Sequence, residues 1–295
     1  MIKIIFFLLA CLCLPAMAQE VNLDTTNIST PSPQEQLLVY DNPKIHVYIG
    51  DITYQPMTKG QQVSSLLTGL LASSEISIED GAMVEGAKQA LLGCLQDVNR
   101  FVVMAGEISP EEKEKGTSLV FSAKIIYCNF TEKLNRSVMD KEARIVAYIT
   151  LTEPKTGRVY YNEQVTGWEW LSVFHSMVEC REYVQNSLWR SAASRLRRAY
   201  PLRGHMLEKG FEKGKKQKLQ QFYIDLGTDH RLFNGSHVDV FTVKRIAGRI
   251  ARQHIGTGTV IDIEGEDISL CKVNKHGEQI KQAFDRGAEI AVQVY

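Results

Sequence analysis

Apolar residues recur along the chain with two different periods, and the places where the period changes mark its organisation. Ile45, Val47 and Ile49 alternate with His46 and Tyr48, a period of two that predicts a strand ending at Gly50-Asp51. Between Glu79 and Val98 the period becomes three to four. Val84, Ala87, Leu91, Cys94, Leu95 and Val98 then make one buried helical stripe, with Gly86, Ala90 and Gly93 on a neighbouring line small enough for close approach to a sheet. Phe101–Met104, Ser118–Phe130 and Ala143–Leu151 read as strands, and Lys155-Thr156-Gly157-Arg158 as the turn into a further strand, Val159–Trp168. A helix over Ser172–Tyr200 carries Phe174, Val178, Val184, Leu188, Ala192 and Leu196 inward. It leaves Arg181, Arg190, Arg195, Arg197 and Arg198 to water or to the negative end of its dipole.

After Pro201 the pattern becomes one of short strands: Gly210–Gly214, Leu219–Leu226, Val238–Val243, Gly258–Ile263, Ile268–Val273 and Ile290–Val294. Turn signals at Asn234-Gly235, Gly265 and Asp285-Arg286-Gly287 separate them. The pattern as a whole predicts an α+β chain. Residues 43–200 form an α/β layer in which two helices cover one face of a mixed sheet, and residues 201–295 form a small SH3-like all-β barrel. At 295 residues the chain reaches the length at which a single core usually stops growing, roughly 250–300 residues, which also favours two cores.

Residues 1–18 read as an address. One lysine precedes the apolar run Ile4–Leu14, and Pro15-Ala16-Met17-Ala18 supplies small residues at a cleavage site, so a signal peptide cleaved after Ala18 is expected. A rival, Leu8-Leu9-Ala10-Cys11, has the look of a lipobox that would leave Cys11 lipidated; the flanks and length favour ordinary cleavage. The apolar run falls short of the ~20 residues of a membrane-spanning helix. Residues 19–42 are polar, with two prolines, and predict a flexible arm. Residues 55–78 read as a weakly patterned connection bearing an apolar patch at Leu66, Leu67, Leu70 and Leu71. The expected compartment is therefore the periplasm or the exterior, where disulfides can persist. Cys94, Cys128, Cys180 and Cys271 each sit in an apolar pattern without C-x-x-C spacing, so buried thiols and disulfides both remain open.

Charge excludes one class of partner. With 34 Lys+Arg against 34 Asp+Glu the chain lacks the basic excess of a dedicated nucleic-acid binder. The chain contains no G-x-S-x-G, H-E-x-x-H, Walker A or G-x-G-x-x-G, so neither catalytic nor cofactor nor metal residues are assigned. Ile255-Gly256-Thr257-Gly258-Thr259 reads as a strand-entry turn. His175 and Cys180 are five apart on a helix and fall on different faces. Asp225 with Asp229, and Glu264, Glu266 with Asp267, fall at strand ends, where carboxylates cap backbone groups. Lys209, Lys213, Lys215, Lys216 and Lys218 form a basic run. Its plain reading is a solvated edge that discourages sheet-to-sheet pairing, and its functional reading is contact with an acidic partner or anionic envelope polymer.

Two stretches resemble known families. Lys44-Ile45-His46-Val47-Tyr48-Ile49-Gly50-Asp51, the helix through Gly86-Ala87-Lys88-Gln89-Ala90-Leu91 into Arg100-Phe101-Val102-Val103, and the hairpin Ala147–Thr152 with Thr156–Tyr160 and Val165-Thr166-Gly167 resemble the periplasmic α/β domain shared by the CsgG family and the N-terminal domain of the TolB family. Ile224-Asp225-Leu226-Gly227, Asn234–Phe241, Ile255-Gly256, Val260 and Ser269–Val273 resemble the C-terminal barrel of the FlgT family. The resemblance implies a non-enzymatic bacterial envelope protein, periplasmic or peripherally associated with the outer membrane. It would act as a scaffold by binding envelope proteins, self-association included. Pore formation is not carried over, because the candidate insertions at 55–78 and 131–142 are short and partly polar. The expected contacts are Leu66, Leu67, Leu70, Leu71, Lys213, Lys215, Lys216 and Lys218. The alternatives are a secreted enzyme without a recognised motif and a surface polysaccharide-binding module using Phe222, Tyr223 and Phe241.

Overall fold

A computed structural model of the chain describes residues 42–56, 76–79, 81–116, 118–135, 138–171, 175–213, 218–247 and 249–295. The expected signal peptide, nearly all of the arm, and Leu66, Leu67, Leu70 and Leu71 lie outside these residues.

The first half builds a mixed sheet from β1 (Ile45–Tyr54), β2 (Ile76–Glu79), β3 (Phe101–Met104), β4 (Ser118–Asn135), β5 (Val138–Thr152) and β6 (Val159–Leu171). Their order is β3-β1-β4-β5-β6. The β1 pairings to β3 and β4 are parallel, those of β4, β5 and β6 antiparallel, and β2 pairs antiparallel with the far end of β4. Alternation decides the faces. Ala143, Ile145, Ala147, Ile149 and Leu151 of β5 are buried under the helices, and Arg144, Val146, Tyr148 and Thr150 point the other way.

Helix α1 (Gly81–Gly93) and the 3-10 turn Cys94–Asp97 bury the whole predicted stripe, Val84 through Val98. The small line does not meet the sheet as expected: Gln185 lies against Gly86, and Trp189 is beside Gly93. The space left by the missing side chains is taken by helix α3 (Met177–Ala199). That helix begins later than the pattern suggested, at a capping box in which Ser176 and Glu179 satisfy each other's backbone N–H. Cys180, Val184, Leu188, Ala192 and Leu196, four apart each time, form its buried stripe. Val178 is 57% exposed: standing two residues before the buried Cys180, it lies about 200° around the helix from that residue, on the water side. A short helix α2 (Pro110–Lys115) was not anticipated, although Ser109-Pro110-Glu111-Glu112 carries its start signal: the Ser109 hydroxyl accepts from the Glu112 N–H.

The second half is a closed six-stranded barrel, β10-β13-β12-β11-β14-β7, made of β7 (Leu202–Lys209), β10 (Gln221–Ile224), β11 (His237–Ile246), β12 (Arg249–Ile263), β13 (Ser269–Lys275) and β14 (Ile290–Val294). A two-stranded ribbon, β8 (Glu212–Lys213) with β9 (Lys218–Leu219), stands beside it. Closure removes the sheet edges. Three expectations change here. The strand Leu202–Lys209 was missed, though Leu202, Gly204 and Met206 alternate inward. A helix α4 (Gly277–Asp285) interrupts the all-β pattern and buries Ile280 in the barrel core. The glycines of Ile255–Thr259 lie inside β12, not at its start: a Cβ on Gly258 would stand 3.0 Å from the Phe222 ring, so the strand crosses the core where only glycine fits.

The buried apolar side chains form two clusters, Ile45 to Tyr200 and Leu202 to Val294. Contacts between the two halves are largely polar. Asn42 exchanges two hydrogen bonds with the Arg203 backbone (2.7 and 2.9 Å), and the Asn99 amide donates to the carbonyls of His230 and Arg231.

Candidate functional site

The sheet face turned away from the helices carries three exposed aromatic side chains. Trp168 is 51%, Trp170 45% and Tyr148 39% exposed. Their placement follows from register. Arg144 is opposite Trp168, Glu142 opposite Trp170, and Tyr148 opposite Gln164, so indole, phenol and guanidinium alternate with carboxylate and amide across two strands. The Trp168 indole N–H donates to Glu142 (2.8 Å), and the Arg144 guanidinium stands 6.0 Å from the Tyr127 ring. Such a face holds flat apolar area within reach of fixed polar groups, the composition of a contact surface. Sequence reasoning missed it. The signal was present in Asn162, Gln164, Thr166, Trp168 and Trp170, an alternating row whose members on the water side turn aromatic.

The second feature lies at the outer edge of β6, the last strand of the described sheet. There the last turns of α3, carrying Ser191, Ser194, Arg195 and Arg198, meet Tyr160–Glu163 of β6 and, from the barrel, Arg203 and Gln293. Together they enclose a cleft of about 770 Å³. A smaller one of about 340 Å³, lined by Arg197, Phe233, His237 and Tyr295, shares Ser194 and Arg198 with it. Glu163 accepts from Arg195 (2.8 Å) and from the Tyr161 hydroxyl (3.0 Å). Burial, reinforced by the Glu163 carboxylate, pushes the Tyr161 phenol far up, and burial does the same to Tyr200. Tyr295 is pushed up to about 12 by burial and by donating to Asp239 (2.5 Å). All three therefore stay neutral donors. Arg198 lies over the Tyr295 ring at 5.7 Å and Arg197 over Phe233 at 6.0 Å. The chemistry on offer is hydrogen-bond donation and positive charge.

The residues singled out from sequence do not converge. Lys213 and Lys218 are cross-strand partners in the β8–β9 ribbon, both exposed; Lys215 and Lys216 lie outside the described residues. Lys209 pairs with Asp285 at 2.6 Å and Glu212 at 3.5 Å. Phe222, Tyr223 and Phe241 do not share a face. Phe222 is fully buried, Tyr223 points outward to Glu264, and Phe241 packs edge-on to His254. Consecutive strand residues point oppositely, which excludes a platform there. Asp225 does serve a backbone group, accepting from the His205 N–H.

No family model matches the chain, and no curated protein matches it significantly. The CsgG-, TolB- and FlgT-type resemblances therefore rest on the short motifs quoted above. Among solved structures, a hypothetical protein of Chlamydia trachomatis is 9% identical and covers 53% of this chain and 98% of its own, with a TM-score of 0.32. A DUF330 protein of Xanthomonas campestris is 8% identical, covering 53% and 85%, with a TM-score of 0.30. Lipoprotein GNA1162 of Neisseria meningitidis is 13% identical, covering 51% and 99%, with a TM-score of 0.23. Likeness at this level leaves the fold to be described from this chain's own residues. Among the described residues, no helix is long and apolar enough to cross a membrane.

Proposed function

We propose that the protein is a non-enzymatic assembly protein of the bacterial envelope, which holds protein partners against the open face of its sheet. The observation that carries this reading is the exposure of Trp168 and Trp170, neighbours on one face of the sheet, with Tyr148 exposed farther along the same face. Adjacent aromatic side chains left in water on a flat surface are what protein interfaces bury, and a few such anchors supply most of the binding energy of an ordinary contact. The leader pattern of residues 1–18 supports the envelope location. The partners proposed are other envelope proteins, including a second copy of the chain and proteins at the outer-membrane surface.

Photo-crosslinking tests this reading directly. With a benzophenone amino acid in place of Tyr148, discrete crosslinks to envelope proteins are expected in intact cells. The double substitution Trp168→Ala/Trp170→Ala should abolish them without lowering the melting temperature. Crosslinks that persist unchanged in the folded double variant would overturn the assignment of this face. A second reading, a polysaccharide-binding module, is favoured by the same flat indoles beside the Glu142 carboxylate and the Arg144 guanidinium. It would show itself as loss of crosslinks on adding neutral cell-wall glycan and as quenching of tryptophan fluorescence by that glycan.

A further inference from the structure

The groove at the edge of β6 is separate from the aromatic face, and the two can fail independently. Among the described residues β6 is the last strand of its sheet, with no strand paired to one side of its backbone. At Trp168 that side is closed by helix α3: the Ser187 hydroxyl accepts from the Trp168 N–H and donates to its C=O, both at 3.3 Å. In an antiparallel ladder, outward-turned backbone groups recur every second residue, so those of Gln164 and Asn162 point to the same edge as those of Trp168. Asn162 lies in the wall of the 770 Å³ cleft, past the point where Ser187 closes the edge. The remaining walls are cationic. Arg195, Arg197, Arg198 and Arg203 line the joined clefts against a single carboxylate, Glu163, which Arg195 already holds.

We propose that this groove receives an extended acidic segment of a partner protein, which adds as a strand to the free edge of β6 and sets its carboxylates against Arg198 and Arg203. Main-chain pairing supplies affinity in this mode, and side chains at alternate positions supply selectivity. Guanidinium groups suit that second task, because they bind carboxylates in a planar, two-bond geometry. Arg198 is preoriented by stacking on Tyr295. Arg203 is held at its backbone by both oxygen and nitrogen of the Asn42 amide.

The test uses the full chain and a fluorescein-labelled peptide of alternating Glu and Val, followed by fluorescence anisotropy. Binding is expected, weakening about tenfold or more between low and high salt, since both partners are charged and partly exposed. Arg198→Glu should weaken it by a similar factor. Asn162→Pro removes an outward N–H without breaking a ladder bond, so the variant should fold and yet lose the peptide. In the unaltered protein, hydrogen exchange at Asn162 and Gln164 should slow when the peptide is added, a readout independent of any variant. Absence of binding, or equal binding of a Gln–Val peptide, overturns the proposal. So does displacement of the peptide by polygalacturonate together with full binding by Asn162→Pro, which would identify an anionic-polysaccharide groove instead.

Discussion

The carboxylate of Asp225 grips His205 twice, accepting from its backbone N–H and from ring Nδ1 at 2.8 Å, while the Asp225 N–H donates to the His205 carbonyl at 3.1 Å. Between these strands the ladder register slips: Tyr223 pairs with Glu208 and Ile224 with Met206, leaving Leu207 as the extra residue of a bulge. Beyond the bulge a side chain does the work of a strand neighbour. Asp225→Ala should therefore leave a half-buried N–H unpaired and lower stability by about 1–3 kcal/mol, whereas Asp225→Asn, which keeps an acceptor, should cost less. Urea midpoints of the three proteins check the order; equal midpoints would show that the barrel closes without this pair.

Helix α3 sits so close to β6 that one glycine is obligatory. A Cβ on Gly167 would stand 2.5 Å from the Val184 carbonyl oxygen and 2.8 Å from the Leu188 Cβ, both on the helix. Backbone cannot yield as a side chain can, so Gly167→Ala should destabilise by about 1–3 kcal/mol. Gly93 gives the opposite sign. It is helical at φ −61°, and a Cβ there meets only the Trp189 ring at 3.8 Å. Gly93→Ala should stabilise by about 0.5–1 kcal/mol through reduced chain entropy. Thermal melts of the two variants should move in opposite directions.

At the start of α3, Glu179 accepts from the Ser176 N–H at 2.7 Å and from its hydroxyl at 2.9 Å. These bonds hold its carboxyl below the ordinary 4.5, the backbone N–H contributing most. Because the folded value is depressed, ionised Glu179 stabilises the fold above pH 4.5, and the contribution fades as pH falls through the lowered value. Glu179→Gln should therefore melt lower than the parent at pH 7, and the gap should close toward pH 3. A gap that stays constant down to pH 3 would mean that the charge plays no part in the cap.

The architecture was legible because its two halves hide their apolar faces with different periods. The stripe of α1 from Val84 to Val98 and the inward residues of β5 could be read one by one. What escaped depended on partners distant in sequence. Gly86 looked like a site for sheet contact, yet Gln185, 99 positions later, occupies it. Val178 is apolar like the residues of the stripe, yet it stands two positions before Cys180 and so turns to the opposite side of the helix. The strand Leu202–Lys209 and the helix Gly277–Asp285 were overlooked because turn-like glycines, Gly204 and Gly277, stand within them. The candidate surfaces were the least legible. Trp168 and Trp170 become a surface only once Arg144 and Glu142 are brought alongside, and the arginines of the groove come from two helical turns and a barrel strand.

The cysteines give the last test. Cys94, Cys128, Cys180 and Cys271 carry no disulfide, and all four are buried, the first three in the core of the first half and Cys271 in that of the barrel. Burial, with some help from Asp97, pushes the Cys94 thiol up to about 12, and burial alone does the same to Cys271. The reactive species is the thiolate, whose fraction at pH 8 would then be on the order of 0.0001. Its access to solvent is closed as well, and the Cys94 thiol donates to the Leu91 carbonyl at 3.0 Å. Iodoacetamide should leave both residues unmodified in the native protein at pH 8 for as long as the fold persists, and should alkylate both within minutes in concentrated guanidinium. Mass spectrometry of tryptic peptides reads the two sites separately. Rapid native labelling of Cys271 alone would mean that the barrel opens independently of the sheet, and labelling of both would contradict the packing of the two cores.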